Sequence, residues 1–264
     1  MKCLIIIGMH RSGTSLTSAI LQKAGLFIGD ELMGAGNGNT KGHFESTDFH
    51  NLHTKALQHS SLNVDGWDLQ TIDQLPAELD KEATQLIEKN QQLQWGWKNP
   101  RTTLFMNYWC QKIPDAYYLF VYRDPWDVAD SLFRRGSDRK VRKNPSFAFK
   151  AWDFYNREVM RMFQKNQKNS ILIHIDDFVK NIPRVIGEIN ERFGFHLSTQ
   201  GTENIFDQSI YNASDLEKIK LRAWKTRNHF PEVIDTLNEL RTLSKITKYN
   251  QEKFDGRYRM PDTR

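Results

Sequence analysis

The residue types and spacing best suited to chemistry lie in Gly8-Met-His-Arg-Ser-Gly-Thr-Ser15, a turn entered directly from the apolar run Leu4-Ile5-Ile6-Ile7. The spacing is that of a phosphate-cradling loop, with glycines at both ends of the turn and a hydroxyl residue after the second. Thr14 occupies the place where a nucleotide triphosphatase carries its lysine, the residue that grips the β- and γ-phosphates. An anion needs no lysine there, because inward-turned backbone N–H groups and a helix N-terminus supply the attraction. Arg11 adds a charge within the loop. Ser12, Gly13, Thr14 and Ser15 complete a cradle for phosphate or sulfate, and ATP hydrolysis is not expected of it.

Two further cationic segments share this character. Lys98-Asn99-Pro100-Arg101 follows a short apolar stretch. Arg123-Asp124-Pro125 follows Tyr117-Tyr-Leu-Phe-Val-Tyr122 and opens a helical pattern carrying Ser131 and Arg135. Ser131 and Arg135 share one helix face, and Arg123 lies just before that helix. Together they form a second anion site, separate from the first. Two separated anion sites fit a nucleotide phosphorylated on both its 5′ and 3′ sides.

The elements that must position these groups are those of an α/β domain with a largely parallel sheet, since apolar runs alternate with helical patterns. Strands are predicted at Cys3–Ile7, Leu93–Trp97, Tyr117–Tyr122 and Ser170–Ile175. Helices are predicted at about Thr14–Ala24, Asp48–His59, Ala77–Asn90, Pro125–Arg135, from near Pro145 onward, Ile182–Phe193 and Pro231–Lys245. Asp124 is read as the cap of the Pro125 helix. Met33–Gly42, rich in glycine and asparagine, is read as a mobile functional loop, and the basic run Arg134–Lys143 as a solvated loop. No repeat or low-complexity linker divides the chain, so residues 1–264 read as one domain. In a parallel sheet all three cationic segments fall at the strands' carboxyl ends, where such folds bind ligands.

With these motifs in place, the chain resembles the sulfotransferases that use 3′-phosphoadenosine 5′-phosphosulfate (PAPS). Arg11-Ser-Gly-Thr-Ser15 is similar to their 5′-phosphosulfate loop. Phe120-Val-Tyr-Arg-Asp-Pro-Trp-Asp-Val-Ala-Asp-Ser131 is similar to their 3′-phosphate segment, with Arg135 matching a further arginine. Trp97-Lys-Asn-Pro-Arg-Thr-Thr-Leu104 resembles a stretch of the Golgi-type branch, which includes the tyrosylprotein enzymes. Ile173-His-Ile-Asp-Asp-Phe-Val179 resembles a later strand and turn, with Ile175 where the family has tyrosine. The resemblance implies a P-loop-type fold and in-line transfer of a sulfuryl group from PAPS to an acceptor hydroxyl, on a carbohydrate, lipid, small molecule or peptide. Cofactor contacts would come from Arg11 to Ser15, Arg123, Ser131 and Arg135, with no metal. Arg11 and Lys98 would stabilise charge on the transferring group. Glu45, in Gly42-His-Phe-Glu-Ser46, falls where the Golgi-type branch places a catalytic glutamate. Burial against Phe44 would raise its pKa toward the range useful for a general base. His43, His50 and His53 compete for that role, and Glu45 as a mere helix cap is the plainer reading.

Composition sets the outer limits. A net charge of +5 and a pI near 9.1 suit an anionic ligand. A hydrophobic content of 39% and a charged content of 26% are those of an ordinary globular domain, and no apolar run has the length of a membrane span. Cys3 and Cys110 read as packed thiols in a reducing, cytoplasmic setting. A P-loop small-molecule kinase would need the missing lysine and an acidic metal ligand. A nucleic-acid-binding protein could use the Arg134–Lys143 run, yet no accompanying helix-turn-helix, zinc or aromatic-basic signature is present. Trp67, Trp95, Trp97 and Trp109 are read mainly as core residues that could also floor a sugar site.

Overall fold

A computed structural model describes residues 1–34, 42–135, 139–202 and 230–254. Its centre is a four-stranded sheet in which every pairing is parallel: β1 (Lys2–Ile7), β2 (Gln94–Lys98), β3 (Tyr117–Tyr122) and β4 (Ser170–His174), in the order β2-β1-β3-β4. After Lys2, β1 is a continuous apolar run and β3 an apolar and aromatic one, because both faces of a parallel sheet are covered. Alternate side chains divide between two cores: Cys3, Ile5, Ile7, Tyr118 and Phe120 enter one, and Leu4, Ile6, Leu119 and Val121 the other. The first core holds the tryptophans. Trp97 stacks on Phe49 with ring centroids 4.1 Å apart, and its indole N–H donates to Thr102 Oγ1 at 3.1 Å. Trp67, Trp95, Trp97 and Trp109 are all buried in it.

Around the sheet lie α1 (Thr14–Lys23), α2 (Thr47–His59), α3 (Ala77–Asn90), α4 (Met106–Lys112), α5 (Pro125–Arg135), α6 (Arg139–Lys143), α7 (Phe147–Lys165), α8 (Ile175–Lys180), α9 (Ile182–Phe193) and α10 (Pro231–Phe254). The long helices follow the apolar periodicity of the sequence within a residue or two, apart from the C-terminal one, which runs further. The short ones do not. Segments of five to seven residues such as α4, α6 and α8 are too short to stabilise themselves and depend on packing. The expected solvated loop at Arg134–Lys143 therefore contains a helix, α6, whose Val141 is buried against the core. Residues 35–41 of the expected mobile loop lie outside the described residues, as does the side chain of Arg135.

With β1 flanked by β2 on one side and β3 on the other, the chain reverses its winding direction between β1 and β3. The crevice at their carboxyl ends is the topological switch point, where open α/β sheets take ligands. The Gly8–Gly13 turn and Arg123 both leave the sheet there. Close backbone approach makes Gly8 indispensable, since a Cβ on it would stand 2.2 Å from Val121 O. Gly8→Ala is expected to cost about 1–3 kcal/mol by overpacking, read as a lowered urea midpoint. An unchanged midpoint would mean that the β1–β3 contact is looser than described.

Candidate active site

The turn after β1 is built on two left-handed backbone positions, Arg11 at φ 69° and Gly13 at φ 89°. A left-handed arginine is strained, and here it directs a cation out of a turn whose neighbours, Ser12 and Thr14, are buried. Gly13 precedes α1 and lies against the Ile175 side chain, which a Cβ would meet at 2.4 Å. Ile175 is thus a packing residue beneath the turn. Arg11 Nε donates to Ser131 Oγ at 2.8 Å, so the first anion motif touches the second across the β1–β3 crevice.

Lys98 ends β2 and is only 1% exposed. Its ammonium donates to Glu45 Oε1 at 2.8 Å and to Ser15 Oγ at 3.1 Å. Glu45, 6% exposed, receives further support at Oε2: Asn99 Nδ2 donates at 3.2 Å, His50 Nδ1 stands at 3.6 Å and Arg101 Nη1 at 3.9 Å. Glu45 arrives there on an ordered backbone. Its carbonyl accepts from Met33 N–H at 2.8 Å, Leu32 and Ser46 form an antiparallel bridge, and Phe44 before it takes a left-handed φ of 50°. The helix-cap reading fails, because Ser46 holds the N-cap position of α2 and Glu45 faces the lysine.

This ion pair reverses the pKa expected of Glu45. Burial by itself would raise the carboxyl. The Lys98 charge, His50 beside Oε2, the hydrogen bond from Lys98, and the nearby His10 together outweigh it and hold the group well below the usual carboxylate range. Lys98 moves down as well: its burial outweighs the attraction of Glu45, and Arg101 and Arg11 add repulsion. Phe44 does not set the carboxyl's ionisation; Lys98 does.

Asn99 and Arg101 are the residues to which sequence reasoning gave no role. Asn99 works at both ends of its amide, accepting from Arg101 N–H at 2.8 Å to cap the 3-10 turn Pro100–Phe105 while donating to Glu45. An asparagine directly before proline at a strand end was the available signal. Arg101 donates to Val64 O at 2.8 Å and reaches His50 Nδ1 at 3.3 Å. It joins Tyr155, which donates to Gly66 O, and Lys140, which donates to Trp67 O at 3.2 Å, in holding the loop Asn63–Asp68 beside the site. His10 lies against Trp67 in that wall, with ring centroids 4.5 Å apart.

Of the three competing histidines, His50 stands beside Glu45. His53 is buried between Phe105 and Trp109, accepts from the Trp109 indole at 2.9 Å, and is pushed down to about 3, chiefly by burial. It is a neutral packing residue. His43 donates its backbone N–H to Met33 O.

Arg123 also leaves its strand at the crevice. Its carbonyl accepts from Trp152 Nε1 at 2.9 Å, and its Nε lies 3.7 Å from Asp127 Oδ2. Asp124, expected to cap α5 with its side chain, instead gives its carboxylate to Arg241 of α10.

A model of the sulfotransferase family matches residues 4–198. The chain belongs to the sulfotransferase family. Two crystal structures share the fold of this family member at low identity. The sulfotransferase STF9 from Mycobacterium avium is 15% identical with a TM-score of 0.55, over 89% of this chain and 76% of that one. A sulfotransferase from Alicyclobacillus acidocaldarius is 15% identical with a TM-score of 0.52, over 93% and 96%. No curated protein sequence matches the chain. Family membership favours neither the kinase nor the nucleic-acid reading. Among the described residues no helix is long and apolar enough to cross a membrane, and no group of three or more His, Cys, Asp or Glu side chains is placed to hold a metal ion.

Proposed function

We propose that this family member transfers the sulfuryl group of PAPS to an acceptor hydroxyl, within one domain spanning residues 1–264 and without a metal. The observation that carries the reading is the junction of two anion motifs through Arg11 and Ser131, with the Lys98–Glu45 pair bonded to Ser15 at the end of the same turn. The turn suits an anionic donor on its own evidence. Ser12 Oγ is fully buried and finds no hydrogen-bond partner among the described residues, a hydroxyl that a phosphate or sulfate oxygen would satisfy. Gly8 and Gly13 leave no room there for side chains. The thiols of Cys3 and Cys110 are free, which suits a reducing, cytoplasmic setting.

In this reading the turn from Arg11 to Ser15 holds the 5′-phosphosulfate, and Arg123, Ser131 and Arg135 hold the 3′-phosphate. The acceptor oxygen bonds to sulfur as the bridging S–O bond to the 5′-phosphate breaks. The hydroxyl proton passes to Glu45, and 3′-phosphoadenosine 5′-phosphate departs. Lys98 serves two partners in turn. While it faces Glu45, the carboxylate is a weak base. As its charge is drawn toward the sulfuryl oxygens, Glu45 loses its counter-ion in a buried place and its proton affinity rises. Donor occupancy thus strengthens the base.

Calorimetric titration tests the donor assignment. 3′-Phosphoadenosine 5′-phosphate is expected to bind at least about tenfold more tightly than 5′-AMP, from charge-assisted hydrogen bonds worth ~1.5–3 kcal/mol each. The variant Arg123→Ala should lose most of that preference. Equal affinity of the unmodified protein for the two nucleotides would overturn the two-site reading.

A further inference from the structure

The segment between β3 and α5 is held by a helix distant in sequence. Helix α10 buries Val233, Leu237 and Leu240 in the core, and its next turn reaches the end of β3. Ser244 Oγ is hydrogen-bonded to Tyr122 Oη at 2.9 Å. Arg241, one turn earlier, donates from Nη2 to both oxygens of Asp124, at 3.0 and 3.1 Å. From the end of β4, His174 adds Nε2 at 3.5 Å from Asp124 Oδ1. Its Nδ1 accepts from Asp176 N–H, which turns Nε2 toward Asp124. Asp124 therefore joins three elements while its backbone carbonyl starts α5, accepting from Asp127 and Val128 N–H.

Asp124 is also the immediate neighbour of Arg123, so its charge stands next to the candidate 3′-phosphate contact. A carboxylate there is a liability: it repels a phosphate, and it competes for a guanidinium that already has Asp127 beside it. Arg241 removes both problems by turning the carboxylate toward α10 and neutralising it. It does so from a side chain 45% exposed, against a carboxylate 16% exposed, and a pair with one partner that open adds little to stability. The arrangement is better suited to tuning the neighbouring site than to holding the fold.

We propose that Arg241 is a positioning residue for donor binding, masking Asp124 and aiming Arg123 at the donor's 3′-phosphate. The inference rests on the assignment of Arg123 made above. The test is calorimetric titration of 3′-phosphoadenosine 5′-phosphate and of 5′-AMP onto the unmodified protein, Arg241→Ala, Arg241→Lys, Asp124→Asn and the double variant Asp124→Asn/Arg241→Ala, with melting temperatures alongside. Arg241→Ala is expected to weaken the bisphosphate by about fivefold or more, the lower edge of ordinary coupling between sites, while 5′-AMP and the melting temperature barely move. Arg241→Lys should restore most of the loss. In the Asp124→Asn background, Arg241→Ala should change little further, because the charge to be masked is gone. A merely structural role would weaken both nucleotides alike and lower the melting temperature. An unchanged ratio of the two affinities in Arg241→Ala, in a protein that itself prefers the bisphosphate, overturns this inference alone. Absence of that preference in the unmodified protein overturns it together with the role of Arg123.

Discussion

Turnover is expected to fall by about 10²–10⁴-fold in a Glu45→Gln enzyme, the contribution of one positioned general base, with donor affinity held or increased, because Lys98 then faces no carboxylate that competes with the donor for its charge. Glutamine keeps the shape and can still accept from Lys98, so the loss isolates proton transfer. The Lys98–Glu45 pair makes the pH behaviour specific. In the donor-free enzyme Glu45 is held well below the usual carboxylate range by Lys98, against the opposing effect of burial. Any acidic limb that it imposes on kcat/KM for the donor therefore lies at low pH. The limb in kcat reports the complex, where Lys98 is shared with the donor, and should lie at higher pH and vanish in Glu45→Gln. Stability follows the same ionisation. A carboxyl whose folded pKa lies below its unfolded value contributes stability that is full above about pH 4.3 and is lost as pH falls toward the folded value. Melting curves from pH 6 down to pH 3 should therefore fall more steeply for the unmodified protein than for Glu45→Gln. Unaltered turnover in the variant would remove Glu45 from the reaction and bring His50 forward as the base.

Lys98→Ala is expected to lower turnover by about 10²–10³-fold, the usual effect of deleting one preorganised donor to a developing charge. It should also destabilise the protein by about 3–5 kcal/mol, because Glu45 would remain buried without the ammonium 2.8 Å away. The two effects separate in a double variant. Lys98→Met with Glu45→Gln removes both charges and should regain much of the lost stability, since the cost lies in the unpaired ion. Turnover should stay low. Kinetics and urea denaturation on the same samples decide the matter. A double variant with restored activity, or a Lys98→Ala enzyme with normal kcat, would reduce the pair to a structural feature.

Much of this architecture is written locally in the chain. The strand Tyr117-Tyr-Leu-Phe-Val-Tyr122 is legible because both its faces are apolar, and α9 because Ile182, Val185, Ile186 and Ile189 recur at helical spacing before Gly194. The Gly8–Ser15 turn is legible because only glycine suits its two ends, at one for close approach and at the other for positive φ. These are short-range requirements, and the sequence by itself determined them, along with the placing of three cationic segments at the carboxyl ends of parallel strands. What it could not contain is the partner of each polar or charged group. Glu45 and Lys98 meet across 53 positions, Arg11 and Ser131 across 120, and Asp124 and Arg241 across 117. Periodicity states which face a residue occupies, but the group it confronts depends on strand order and helix docking, which are global.

The sign of the Glu45 pKa shift turned on that difference. Burial alone argues for a raised carboxyl, and only the lysine delivered by β2 reverses it. In the same way a local reading assigns Asp124 to cap its own helix, whereas α10 brings an arginine that takes the carboxylate instead. The sequence determined the fold and the inventory of reactive groups. The tertiary structure decided which charges are paired, and hence what each group can do, because Coulomb interactions in a poorly solvated site depend on distances of a few ångströms that no local pattern encodes.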